Sequence, residues 1–126
     1  MSIGPHGGIY LCVRGPVASV NSLSKNNFRP IANEVATWRE AFYWTVKAFR
    51  PDALDYLVAI HVYHLKNKRL DVSDAGSIYF AGKGAVDGIV DGGLLTDDNP
   101  EHVHSVTLYA PSAWDYEGLG VELVPV

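Results

Sequence analysis

Lys83, Asp87 and Asp91 recur at four-residue intervals in the stretch KGAVDGIVDGGLLTDDNPE, residues 83–101. In a helix these three side chains share one face, about a turn apart. Gly92 and Gly93 then interrupt the helix, Leu94 and Leu95 form a short apolar step, and Asp97-Asp98 falls in a turn closed by Asn99-Pro100. A lysine, an acidic stripe and a carboxylate pair can thereby converge on one small volume. Oxygen-only clusters of this kind suit Mg²⁺ or Mn²⁺, ions that hold phosphates during hydrolysis. The same spacing also describes a solvated helix face followed by an acidic turn.

The elements that must position these residues are readable from periodicity. Ile9 to Val13 is a short apolar run of strand type, and Arg14 to Pro30, rich in Gly, Ser, Asn and Pro, fits neither period. Asn33 is a candidate N-cap for a helix reaching Arg50. Its stripe of Val35, Trp38, Phe42, Val46 and Phe49 gives one buried face, and Pro51 ends it. Tyr43 and Trp44 lie off the stripe, at a subunit contact or partly covered by the long loop. Leu54 to Leu65 reads as a strand apolar on both faces and hence central in its sheet. His61 and His64 fall on opposite faces of it. A basic loop, Lys66 to Arg69, follows.

Ile78 to Val90 predicts a second helix, intrinsically poor because Gly82, Gly84 and Gly88 lie inside it. Each interior glycine costs about 0.5–1 kcal/mol relative to alanine. Close approach of the helix backbone to the sheet or to a twin helix is the compensation to look for. Val103 to Tyr109, with Val106 and Leu108 facing one way, and Gly120 to Val124 supply the last strands. The order predicts a two-layer α+β fold, with a mixed or antiparallel β-sheet and two main helices on one face.

Size and composition bound the rest. A chain of 126 residues, 48% hydrophobic and 19% charged, suits a single domain spanning 1–126. The lone cysteine, Cys12, sits in an apolar run and reads as a reduced core thiol, which fits a cytoplasmic setting. No apolar run approaches the roughly 20 residues of a membrane helix, and MSIGPHGG lacks the character of a signal peptide. The net charge of −4 is unlike that of most DNA-binding domains. Its distribution is uneven, however: Lys25, Arg29, Arg39, Lys47, Arg50, Lys66, Lys68 and Arg69 precede most of the acids. No GxGxxG, P-loop, GxSxG, HExxH or paired CxxC pattern occurs, which leaves nucleotide-fold, triad and zinc readings without support. His102 and His104 have strand spacing and could face Asp97 and Asp98 together.

Lys83, Asp87, Asp97 and Asp98, with the exit GLLTDDNPE, resemble the RusA family of Holliday junction resolvases, in its divergent actinobacterial and phage-type branch. The likeness covers roughly residues 71–111. The family's earlier acidic motif, Asp-x-Asp-Asn, corresponds here to RLDVSDAGSIYFAGK, where Asp71 and Asp74 stand three apart and the asparagine is missing.

The resemblance implies a RusA-like fold and a Mg²⁺-dependent endonuclease (Mn²⁺ as the alternative ion) that resolves four-way junctions and other branched DNA in recombination, repair or phage DNA processing. It implies Asp71, Asp74, Asp97 and Asp98 as metal ligands. It implies catalytic roles for Asp74, Lys83, Asp87, Asp97 and Asp98, with Asp87 either ligating directly or holding Lys83. It also implies phosphate contacts at Lys66, Lys68 and Arg69, with Lys25 and Arg29 as further DNA-binding candidates, and a homodimer to match the two-fold symmetry of a junction. Two other readings stay open. One is a RusA fold that has lost catalysis and binds branched DNA or a protein partner. The other is an unrelated α+β protein with a fortuitous acidic turn.

Overall fold

In a computed structural model, residues 1–18, 28–67 and 75–126 are described. Strand alternation sets the layers. In β3 (Val58–Lys66), Val58, Ile60 and Val62 are fully buried, and in β6 (Gly118–Pro125) Leu119, Val121 and Leu123 are likewise. Leu11 of β2 (Ile9–Arg14) joins them on the same face. With period-two side chains, this one parity defines an apolar face that must be covered.

Helices α1 (Phe28–Phe49) and α2 (Tyr79–Asp91) cover it. Trp38, Phe42 and Val46 from α1 pack into the same cluster as Ala81, Ala85, Val86 and Ile89 from α2. The sheet runs β1-β2-β6-β3-β4, where β1 is Ser2–Ile3 and β4 is Val103–Leu108; β5 (Ser112–Ala113) also pairs with β3. Pairings among β1, β2, β6 and β3 are antiparallel, whereas β4 and β5 run parallel to β3. The sheet is therefore mixed, and the chain passes from β3 through α2 to the parallel edge strand β4. Among the described residues no helix is long and apolar enough to cross a membrane.

The poor helix α2 is explained by its neighbours. Gly84, Gly88 and Gly92, four residues apart, abut α1 so closely that a Cβ on Gly88 would lie 2.2 Å from the Arg39 carbonyl oxygen and one on Gly84 2.3 Å from that of Val35. Gly82 faces the sheet instead, 3.3 Å from Leu108 by the same construction. The missing side chains let two helix backbones approach each other, which offsets the propensity cost.

Several sequence expectations are corrected. Helix α1 begins at Phe28, so Asn33 lies inside it and is not its N-cap. Pro30 is tolerated because the first-turn N–H groups have no intrahelical acceptor in any case. The buried stripe stops at Val46: Phe49, in the last turn, is 52% exposed. The chain then leaves the helix at Arg50, in the left-handed region at φ 46°. Strand β3 starts at Val58, four residues after Leu54. Cys12 alternates with the core residue Leu11 and so faces away from the helices, its Sγ 2.9 Å from the Tyr116 hydroxyl. The two-residue strands β1 and β5 carry too little periodicity to be anticipated.

Candidate functional site at the exit of helix α2

Helix α2 carries Lys83 and Asp87 on its outward side, with Lys83 Nζ 3.8 Å from Asp87 Oδ2. The helix ends at Asp91, where the Gly92 N–H donates to the Gly88 carbonyl and the Gly93 N–H to that of Val90, at 2.8 and 3.0 Å. Gly93, at φ 92°, supplies the left-handed step that turns the chain back. Leu94 and Leu95 are buried as a plug, and the Leu54 N–H donates to the Leu94 carbonyl at 2.9 Å, fixing it from the other side. Asp97 and Asp98 emerge immediately beyond. The turn holds itself: Asp97 Oδ1 accepts from the Asp98 N–H at 2.8 Å, and Asn99 Oδ1 accepts from the Glu101 N–H at 3.2 Å.

Two adjoining clefts result. One, of about 260 Å³, is lined by Lys83, Asp87 and Asp98 on its polar side and by Tyr79, Val86, Val103, Val106 and Leu108 on its apolar side. The other, of about 200 Å³, is lined by Arg39, Asp87, Val90, Asp91, Asp97 and Asp98. Asp87 and Asp98 belong to both. The structure thus brings Lys83, Asp87, Asp97 and Asp98 to one place.

Asp91, third in the helical stripe, takes a different partner. Arg39 of α1 grips it through two hydrogen bonds, Nε to Oδ2 at 2.5 Å and an Nη to Oδ1 at 3.0 Å. That contact holds the Asp91 carboxyl below its ordinary range, and the guanidinium is raised in turn. Arg39 was not foreseen as part of the cleft, because only the crossing of α1 over α2 brings it there.

Among the described residues no three carboxylate, imidazole or thiolate groups come together closely enough to hold a metal ion. Asp71 and Asp74, which the resemblance places in the ligand set, lie outside the described residues, as do Lys68, Arg69 and Lys25. Arg29 is exposed in the first turn of α1 and Lys66 half-buried at the end of β3. His102 Nδ1 lies 2.8 Å from Asn99 Oδ1.

A second polar cluster, unforeseen, occupies the sheet face opposite the helices. Glu122, fully buried on β6, accepts from the backbone N–H groups of His6 and Gly8 at 2.8 and 2.9 Å and from the Tyr63 hydroxyl at 3.1 Å; His6 Nδ1 is 2.9 Å from it. Burial alone pushes a carboxyl up, but these hydrogen bonds outweigh it and hold Glu122 below the ordinary carboxylate range. His61 stacks on His6 with centroids 4.4 Å apart and lies 2.6 Å from the Tyr109 hydroxyl through Nδ1. Burial, then the neighbouring His6, lowers the His61 pKa. The available signal was the acid inside the strand run GVELV, on the parity opposite Leu119, Val121 and Leu123.

No protein-family model, curated protein or solved structure matches this chain.

Proposed function

We propose that the chain is a RusA-like structure-selective endonuclease acting on branched DNA as a homodimer. The observation that carries the reading is that Lys83, Asp87 and Asp98 line one cleft, with Asp97 in the cleft that adjoins it. In this reading the Lys83 ammonium meets the charge that builds on a phosphate oxygen, and Asp87 holds Lys83 from one turn further along the helix. Mg²⁺ or Mn²⁺, which would activate water and polarise the phosphate, needs Asp71 or Asp74 beside Asp97 and Asp98, because the described carboxylates alone form no three-ligand set. Magnesium-dependent nicking of a synthetic four-way junction tests the reading. Absence of cleavage at every Mg²⁺ and Mn²⁺ concentration overturns it.

A second reading is a RusA-like fold without catalysis, binding branched DNA or a protein partner. The altered spacing of Asp71 and Asp74 and the net charge of −4 favour it. Asp97→Asn separates the two: in an enzyme it abolishes cleavage while sparing or improving DNA binding, through reduced repulsion.

A further inference from the structure

We propose that Arg39 is a phosphate-gripping residue of the acidic cleft and that Asp91 is the placeholder a DNA phosphate displaces from it. The inference deepens the nuclease reading and rests on it for the identity of the ligand.

The guanidinium fork suits a planar pair of oxygens, whether from a carboxylate or a phosphate. Asp91 already engages it in that two-bond geometry. Both side chains are substantially exposed, 51% for Arg39 and 36% for Asp91. An exposed ion pair contributes little to folding and exchanges readily, unlike a buried tie. The reach of the guanidinium is nonetheless defined, since the Arg39 backbone lies in contact with Gly88 of α2. It borders the cleft of Asp87, Asp97 and Asp98 on one side and, on the other, an open depression along α1 beside Ala36, Glu40 and Tyr43. A strand entering over that depression, which Asp91 also lines, meets the Arg39–Asp91 pair before it meets Asp87, Asp97 and Asp98.

Charge argues the same way. Asp87, Asp91, Asp97 and Asp98 against Lys83 and Arg39 leave the cleft with a surplus of two negative charges. A phosphate therefore needs a second cation besides Lys83, which sits beside Asp87 on the other side of the cleft. Arg39 can turn outward by exchanging one pair of oxygens for another, with no donor left unmade. Asp91, which already lines the cleft, is left there without its partner.

The test is anisotropy titration of a labelled four-way junction in Ca²⁺ across a range of salt, with cleavage in Mg²⁺ measured separately. Arg39→Ala should weaken binding about tenfold at low salt and reduce the slope of log K against log salt by about one. Arg39→Lys should keep the slope and lose part of the affinity. Asp91→Asn should tighten binding severalfold, an effect that disappears in the Arg39→Ala background. If Asp91→Asn leaves binding unchanged or weaker, or Arg39→Ala leaves the slope intact, the pair is only a tie between helices and the proposal fails. Salt-sensitive binding that depends on Arg39 without any cleavage would sink the nuclease reading and keep this one. Cleavage with an Arg39-independent slope would do the reverse, and wild-type protein that binds no DNA would end both.

Discussion

Gly88 of α2 stands against the carbonyl oxygen of Arg39 in α1, so close that a Cβ would come within 2.2 Å of it. The helix crossing that creates the acidic cleft depends on this missing side chain. On helix propensity alone, Gly88→Ala stabilises by roughly 1 kcal/mol. Backbone overlap outweighs that, since forcing extra volume into a packed contact typically costs about 1–3 kcal/mol. Denaturant unfolding should therefore show a net loss for Gly88→Ala. Gly82→Ala, whose Cβ meets the movable tip of Leu108 at 3.3 Å and the Val62 methyls at ordinary contact distances of 3.5 and 3.8 Å, should be near neutral. A stabilised Gly88→Ala variant would mean the helices are not in backbone contact.

The contrast between these glycines shows what was legible beforehand. Glycines inside α2 signalled a close approach, but whether to the sheet or to another helix was open, and both occur on different faces. The extent of α2 and the reversal through Gly92 and Gly93 followed from local spacing, so Lys83, Asp87, Asp97 and Asp98 could be grouped early. Arg39 and Glu122 could not. Arg39 enters the cleft through tertiary crossing, and Glu122 is buried by a turn from the far end of the chain, so neither has a local pattern to announce it.

Glu122 should prove to be the fastening of that N-terminal turn. Glu122→Gln keeps one acceptor oxygen and loses the charge, which should cost about 1–3 kcal/mol. Glu122→Leu leaves the His6 and Gly8 N–H groups and the Tyr63 hydroxyl without their acceptor, and should cost more. Hydrogen exchange would locate the effect, with the Gly8 amide losing protection first. Unchanged protection in Glu122→Leu would show that the turn is held by strand pairing alone.

The basic residues Lys66, Lys68 and Arg69 bear on how an acidic chain approaches DNA. Replacing Lys66, Lys68 and Arg69 together with alanine should weaken junction binding at every sequence alike and lower the salt slope by about two to three. Any change in Tm should come from Lys66, which is half-buried at the end of β3. An unaltered slope would shift attention to Lys25, Arg29 and α1.

Acid should lower stability in two steps, and the sign follows from the cluster around Glu122. The His61 pKa lies below its ordinary 6.5 in the folded state, so as pH falls past 6.5 the unfolded chain takes the proton first and stability drops until the folded ring also titrates. His6, Tyr63, Tyr109 and Glu122 are the titratable groups beside that ring; of these, burial and His6 disfavour the imidazolium more than Glu122 favours it. Glu122, whose pKa lies below its ordinary 4.5, contributes stability that is fully present above that value and is lost as pH falls through the folded pKa. Asp91, held down by Arg39, adds a smaller loss of the same sign below 3.8. Glu34, raised by burial, acts oppositely and stabilises as pH falls through its folded pKa toward 4.5. Tm measured from pH 8 to 3 should decline first below about 6.5 and again below about 4.5. His61→Gln should flatten the first decline and leave the second, whereas Glu122→Gln should flatten the second and, by removing a charge that favours the His61 imidazolium, deepen the first. If His61→Gln preserves the upper decline, the protons responsible bind elsewhere and the stacked histidines play no part in it.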